Sequence, residues 1–496
     1  MSRRVSVSLQ PLGKILYVNE GTSFIDFLHE YGVEFPCGGK GTCGRCKIKL
    51  LDGKIEMNVE HQRKVKNLNL GDEWRLACFC RADADIVIEV SQFEEIILAD
   101  DSTFSFQPQN GYGIAIDVGT STIVLQLLDL QTGHVIDVAA SLNPQVKYGA
   151  DLISRIQKGL DGLQKEMQRL IHKKLGEMLA GISEIHLVNV TKVVLVGNTA
   201  MHHIFSGLNL RPLSFYPFEP DDPGVQKFSS HTLGWKLSEQ VDIRFLPSIG
   251  SFVGSDILAG IAATKMAERK ELSVLIDLGT NGEIVLGNCD RIICASTAAG
   301  PAFEGAKISQ GMRAVSGAIS SVEFSDGMLK CHVIGNTPAR GICGSGLIDA
   351  MAVFVENGRI GMFGEINSGE ETILLAPGVF LTQQDIREFQ LAKAAVAAGL
   401  NILLNRFDIT FDEVKNIFIA GGFGNFLNLQ NVIKTGLIEA REDQIIKMGN
   451  TALMGAKMFL FSNETAIQDI LNITTHINLE ADPLFQDIFI EKLMLT

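Results

Sequence analysis

Residues 113–122 read GIAIDVGTST and residues 274–283 read VLIDLGTNGE. In each, an apolar run that suits a buried strand ends in an Asp, and a Gly-Thr turn follows. Such a turn offers backbone N–H and hydroxyl groups to phosphate, while the aspartate, Asp117 or Asp277, can hold Mg2+ directly or through water. One such turn is a weak signal, because Asp-containing turns are common. Two copies about 160 residues apart predict an internal duplication with a split phosphate site. The candidate phosphate groups are Gly119, Thr120, Ser121 and Thr122 in the first copy and Gly279, Thr280, Asn281 and Gly282 in the second.

Working outward, Ile417-Phe418-Ile419-Ala420 runs into Gly421-Gly422-Phe423, a strand followed by a double-glycine turn open enough to admit an adenine ring. Two further segments repeat one another, Gly197-Asn198-Thr199-Ala200 and Gly449-Asn450-Thr451-Ala452. Both are expected to start helices whose small residues pack closely between two lobes. No G-x-x-x-x-G-K-[ST] stretch is present, which excludes a P-loop enzyme.

The first ninety residues carry a different chemistry. Val5, Val7 and Leu9 alternate with polar residues and lead through a Pro11–Gly13 turn into Ile15, Leu16 and Val18, a hairpin signal. Thr22 is placed to cap a short helix reaching Tyr31. Cys37, Cys43 and Cys46 then lie on a loop with four glycines, and Cys78 follows in the tetrapeptide Arg75-Leu76-Ala77-Cys78. Glycines let a backbone wrap a cluster and aim amides at its sulfurs, and soft thiolates suit iron. The alternative, a zinc site with four cysteines, usually pairs two C-x2-C units, and only one lies in this segment. Cys80, two residues from Cys78, competes with it as a ligand. C-x5-C-x2-C with a distant fourth cysteine is similar to adrenodoxin-type [2Fe-2S] proteins and implies a β-grasp ferredoxin-like domain over 1–92. Residues 93–110 lose periodicity and read as a tether, with Ile96, Ile97 and Leu98 able to dock.

The order of the later motifs resembles the superfamily of sugar kinases, heat-shock chaperone ATPases and actin (the ASKHA fold), in which two RNase-H-like lobes close over ATP. Within it, Asn143-Pro144-Gln145, Gly149–Ile156, Gly197–His203 and Gly300–Ala306 resemble the reductive activators of corrinoid-dependent enzymes. The resemblance implies an α/β multidomain chain with lobes over 111–272 and 273–448 and C-terminal helices over 449–496 packing back on them. It implies a [2Fe-2S] cluster on Cys37, Cys43, Cys46 and Cys78, with ATP and Mg2+ as further cofactors. Asp117 and Asp277 would organise Mg2+ and water, and Gly421, Gly422 and Phe423 would line the adenine site. Glu304 and Lys307, one helical turn apart, would stand where related ATPases contact ribose and base. Glu283 would orient the attacking water, with a solvated turn carboxylate the equal alternative. The implied partners are a corrinoid protein or methyltransferase whose cobalt(II) is returned to cobalt(I), a low-potential electron donor, and a second copy in a homodimer. Larger members carry an extra domain between tether and ATPase, whereas residue 110 here leads straight into the first phosphate strand. Competing readings are an activator of a radical or dehydratase enzyme, a small-molecule kinase with a regulatory ferredoxin domain, and a filament or chaperone ATPase.

Composition is that of an ordinary globular protein, 46% hydrophobic and 20% charged over 496 residues, a length that suggests about three domains. The net charge of −14 leaves no basic stripe for nucleic acid. The N-terminus breaks into polar alternation before any signal-peptide core, and no apolar run is long enough for a membrane span. Nine unevenly clustered cysteines do not form a secreted disulfide framework, so the expected compartment is a reducing cytoplasm. Among the remaining residues, His202 and His203 read as buried packing groups and Cys289, Cys294, Cys331 and Cys343 as small core residues. Arg155 either faces the nucleotide or pairs with Asp151.

Overall fold

The structure, a computed structural model, describes residues 3–10, 14–28, 31, 33, 35, 46–67, 70–90, 104–149, 151–300, 302–305, 307–325, 327–367, 369–421 and 427–495. Cys37, Cys43, Gly422, Phe423 and residues 96–98 of the expected tether lie outside these.

The N-terminal sheet contains β1 (Arg4–Gln10), β2 (Lys14–Asn19), β3 (Lys47–Asp52), β4 (Trp74–Leu76) and β5 (Ile86–Glu89), with helix α1 (Val59–Asn67) between β3 and β4. Its order is β2-β1-β5-β3-β4, and β1 and β5 are parallel at its centre. The alternation of β1 buries Val5, Val7 and Leu9 on one face, as a period of two requires. Thr22 does not cap a helix. It pairs with Ala82 in a short strand, its hydroxyl donates to Asn19 O at 2.7 Å, and the helix that follows covers only Ile25–Leu28.

Two larger sheets follow. The first contains β6 (Tyr112–Val118), β7 (Thr122–Asp129), β8 (Val135–Leu142), β9 (Val190–Val196), β10 (Gln226–Phe228) and β11 (Asp242–Phe245), in the order β8-β7-β6-β9-β11-β10. Its helices include α2 (Leu152–Lys158), α3 (Gln164–Ala180), α4 (Thr199–Ser206) and α5 (Ser255–Thr264). The second contains β12 (Ser273–Leu278), β13 (Gly282–Gly287) and β14 (Ile292–Thr297). After a smaller sheet of β15 (Ala318–Ser325), β16 (Met328–Val333) and β17 (Gly341–Ile342), it resumes with β18 (Asn416–Ala420), β19 (Ile445–Gly449) and β20 (Thr474–His476). Its order is β19-β18-β12-β13-β14-β20. Each large sheet thus has an antiparallel three-strand meander whose first strand pairs in parallel with a fourth, β9 or β18, which in turn pairs in parallel with β11 or β19. The repeated Asp-x-Gly-Thr turns sit at the same place in each copy, between the first and second strands.

The strands at the centre of each lobe are apolar on both faces because both faces are covered. Ile114, Ile116 and Val118 enter the first lobe's own core, while Ala115, between them, faces a core shared by both lobes. Val274, Ile276 and Leu278 enter the second lobe's core, and Leu275 joins the shared one.

The second lobe's helices include α6 (Gly344–Glu356), α7 (Gln383–Phe407), α8 (Thr451–Phe461), α9 (Glu464–Ile473) and α10 (Phe485–Glu491). The shared core contains α5 and α8, which cross so closely that a Cβ on Gly455 would stand 2.0 Å from Ala259 O. Asn450 caps α8 as its sequence suggests, but α4, the helix capped by Asn198, is buried inside the first lobe. The partner of α8 between the lobes is therefore α5, a correction to the reading of the repeated Gly-Asn-Thr-Ala segments. Burial chose α5, since its Ile257, Leu258 and Ile261 are apolar toward the shared core. After α8 the chain touches both lobes. Glu464 pairs with Lys227 and Arg244 on the first sheet, and β20 adds to β14 of the second. Among the described residues, no helix is long and apolar enough to cross a membrane.

Candidate functional site

At the N-terminal domain, the turn Leu76–Phe79 is held against Cys46. Ala77 N donates to Cys46 O at 2.7 Å, Cys78 N donates to Cys46 Sγ at 3.5 Å, and Leu76 N donates to His61 Nε2 at 2.8 Å. Buried His61 also stacks on Phe79 with ring centroids 5.2 Å apart. Cys80 is turned elsewhere. Its thiol donates to Leu76 O at 3.3 Å, and burial pushes it up to about 12, the behaviour of a neutral core thiol. The described half of the donor set thus fits an iron–sulfur group. Cys46 and Cys78 lie side by side, and an amide N–H already points at a sulfur, the contact that steadies cluster thiolates.

The second site is a cavity of 300 Å³ between the large sheets, lined by both Asp-x-Gly-Thr turns. Asp117, Gly119, Thr120, Ser121 and Thr122 come from one turn, and Asp277, Gly279, Thr280, Asn281 and Glu283 from the other. Gly282 closes the β12–β13 hairpin opposite Leu278. Gly421 also lines the cavity at φ 106°, and a Cβ there would stand 2.3 Å from Leu278 O and 3.1 Å from Asp277 Oδ1. Only glycine fits where the end of β18 presses on the second turn.

Polar side chains behind the first turn hold its shape. Asn143 Nδ2 donates to Gly119 O at 2.9 Å, and Asn198 Nδ2 to Thr120 Oγ1 at 2.9 Å. Arg155 is fully buried, with its guanidinium on Thr120 O (2.5 Å), Gly149 O (3.0 Å) and Gln145 Oε1 (3.4 Å). Asp151 caps α2 through Ser154 N instead of pairing with Arg155. Asn450 Nδ2 donates to Asp117 Oδ2 at 3.0 Å, so both repeated Asn residues reach the first turn. His202 and His203 are buried and hydrogen-bonded to Gly224 O and Thr199 O, as packing groups should be.

The cavity concentrates carboxylates. Desolvation first, tempered by the Asn450 hydrogen bond, raises Asp117 to about 6. Desolvation, then the charges of Asp117 and Glu304, raise Asp277 to about 7. Asp256, at the start of α5, rises to about 8 through desolvation and then the charges of Asp277 and Asp117. Glu283 is 8% exposed and raised well above the usual range by desolvation and by Asp256 and Asp277, with Ser296 Oγ donating to it at 3.3 Å. That burial rules out the solvated-turn alternative. Asp256 was not legible in the motifs, since no Gly-Thr turn accompanies it.

Acidic groups that raise one another in an enclosed cleft make a donor set for a hard cation. Among the described residues, no three His, Cys, Asp or Glu side chains stand close enough to hold a metal jointly. Asp117 and Asp277, lining one cleft, are the kind of ligands Mg2+ takes, one or two carboxylates beside several waters and substrate phosphates.

Two expectations are corrected. Glu304 and Lys307 do not share a helical face: residues 302–305 are turns, bracketed by Gly300 and Gly305 at φ 69° and 77°. Glu304 Oε2 instead accepts from Thr280 Oγ1 at 3.1 Å and Ser121 Oγ at 3.4 Å, bridging the two phosphate turns. Lys307 leaves the cavity and pairs with Glu388 at 3.7 Å.

Two duplicated lobes that share a core through crossing helices and meet at matching Asp-x-Gly-Thr turns define an ASKHA fold, here on one chain with a ferredoxin-like domain. Family models match in tandem: a 2Fe-2S iron-sulfur cluster binding domain over residues 7–83, the RACo middle region over 112–269, and the C-terminal domain of RACo, the ASKHA domain, over 271–496. The corrinoid activation enzyme RamQ of Eubacterium limosum is 33% identical over 439 residues, covering 80% of this chain and 74% of that protein. A [Co(II) methylated amine-specific corrinoid protein] reductase of Methanosarcina barkeri is 27% identical over 397 residues, covering 74% and 73%. A solved reductive activator for corrinoid, iron-sulfur protein superposes with a TM-score of 0.70 at 26% identity, covering 99% of this chain and 98% of that one. The chain belongs to this RACo family of corrinoid activators.

Proposed function

We propose that this protein uses ATP bound between its lobes to drive one electron from a [2Fe-2S] cluster to the cobalt(II) of a corrinoid protein or methyltransferase, restoring cobalt(I). The observation that carries it is the meeting of both Asp-x-Gly-Thr turns and Asp256 across one cavity, on a chain whose first domain sets Cys46 beside Cys78. Cys37, Cys43, Cys46 and Cys78 would hold the cluster, which supplies a one-electron carrier at roughly −400 mV. The acceptor lies lower, so the transfer runs uphill. Each 100 mV costs about 2.3 kcal/mol per electron, within reach of a nucleotide-driven change of conformation. Such coupling requires nucleotide to bind the two lobe arrangements with different affinity.

Asp117 and Asp277 would hold Mg2+, largely through water, and present it to the phosphates. Gly119, Thr120, Ser121 and Thr122 would meet the phosphates from one side, with Gly279, Thr280, Asn281 and Gly282 on the other. Gly421, with Gly422 and Phe423, would border the adenine. Glu283 would orient the attacking water, and Asp256, once ionised by bound Mg2+–ATP, would take up its proton. An external low-potential donor would reload the carrier, and the setting is the cytoplasm. The domain limits 1–92, 111–272, 273–448 and 449–496, with a tether at 93–110, remain part of the proposal, as does a homodimer.

The test mixes the anaerobic protein and a low-potential reductant with a cobalt(II) corrinoid protein and follows cobalt(I) absorbance with and without ATP. ATP-dependent cobalt(I) is expected. Its absence with every corrinoid protein encoded beside this gene would overturn the proposal.

A further inference from the structure

The cavity has a charge problem that the motif residues leave unsolved. Its described lining carries five carboxylates, Asp117, Asp256, Asp277, Glu283 and Glu304. A nucleoside triphosphate brings about four more negative charges, and one divalent cation offsets two. Lys307 is directed to Glu388. Arg155 lies behind the first turn, committed to the Thr120 and Gly149 carbonyls. Among the described residues lining the cavity, Arg313 carries the one cationic side chain.

The backbone around Arg313 is pinned. Gly311 bridges Ile342, Met312 N donates to Ile342 O at 2.8 Å, and Val315 N donates to Arg313 O at 2.8 Å. The same segment presses on Gly305: a Cβ on Gly305 would stand 2.6 Å from Met312 N, and one on Gly311 2.3 Å from Gly305 O. Arg313 is therefore one residue from a backbone contact with the neighbour of Glu304. Glu304 in turn accepts hydroxyls from both phosphate turns, the positions a phosphate oxygen would take.

We propose that Arg313 is a phosphate-binding residue of the cleft, placed to meet the triphosphate where it replaces the carboxylate of Glu304 between Ser121 and Thr280. The inference rests on the nucleotide reading of the cavity. A guanidinium suits the task because it stays charged and can offer two parallel N–H groups to one phosphate.

The test is calorimetric titration of the full-length anaerobic protein with Mg2+–ATP, Mg2+–ADP and adenosine, for wild type, Arg313→Gln and Arg313→Lys. Cluster absorbance and melting temperature check that each variant is folded. Arg313→Gln should bind ATP about tenfold to a hundredfold more weakly, as loss of a charge-assisted hydrogen bond predicts, and adenosine with unchanged affinity. Arg313→Lys, which keeps the charge without the fork, should recover part of the loss. Unchanged ATP affinity in Arg313→Gln would overturn the inference while leaving the nucleotide reading intact. Equal losses for ATP and adenosine would also overturn it. A wild type that binds no ATP would instead refute the nucleotide reading itself.

Discussion

Gly455→Ala offers a direct test of how the lobes are joined. The added Cβ would lie 2.0 Å from Ala259 O, 2.4 Å from its carbonyl carbon and 2.5 Å from its Cα. These are backbone atoms inside α5, so no side chain can swing aside. A tolerable carbon–oxygen contact is about 3.3 Å, so α5 and α8 must separate by about 1.3 Å. A gap of that size forfeits much of the dispersion along the crossing, and backbone overpacking costs about 3 kcal/mol, the upper end of the usual range. The effect reaches the cleft because α8 begins at Asn450, whose 3.0 Å bond to Asp117 is too short to survive such a shift. Thermal melting with EDTA and with Mg2+–ATP measures both consequences. We expect a melting temperature lower by about 5 °C and a reduced stabilisation by Mg2+–ATP. Gly224→Ala, whose Cβ would meet only Asp222 Oδ1 at 3.4 Å, is the control and should behave as wild type. If Gly455→Ala melts within a degree of wild type and is stabilised equally by Mg2+–ATP, the crossing is not what couples the lobes.

Arg155→Met should lower stability by about 3 kcal/mol in denaturant titration and weaken ATP binding, because buried acceptors lose their donor. An unchanged midpoint would show that the first turn needs no such support. Cys78→Ala should abolish the [2Fe-2S] visible spectrum while Cys80→Ala preserves it, since Cys80 is engaged with Leu76 O. The reverse pattern would make Cys80 the ligand. With Asp277 near 7 and Asp256 near 8 in the nucleotide-free cleft, Mg2+–ATP binding at pH 7 should expel about one to one and a half protons, and affinity should rise from pH 6 to 8. Calorimetry in buffers of different ionisation heat reads this directly, and net proton uptake would refute it. The same raised values act oppositely on the empty protein. Its carboxyls stay protonated when folded and ionise when unfolded, so its stability should fall as pH climbs from about 4 through 8.

Much of this molecule is written in segments of about ten residues, because turn chemistry and strand periodicity are local. Two apolar runs ending in Asp-Val-Gly-Thr and Asp-Leu-Gly-Thr were enough to read a duplicated fold, since each strand and its turn form without reference to the other. The spacing of Cys37, Cys43, Cys46 and Cys78 likewise announces a cluster, because a loop of fixed length either can or cannot wrap one. What those segments do to each other depends on the order of parallel strands and on a core shared by two lobes. That core selected α5, and with it Asp256, as the group facing Asp117 and Asp277. Positive φ at Gly300 and Gly305 turned an apparent helical pair into a bend that sends Glu304 to the phosphate turns and Lys307 to Glu388. Contacts between residues so far apart in the chain carry no periodicity of their own, and only the packed structure assigns them.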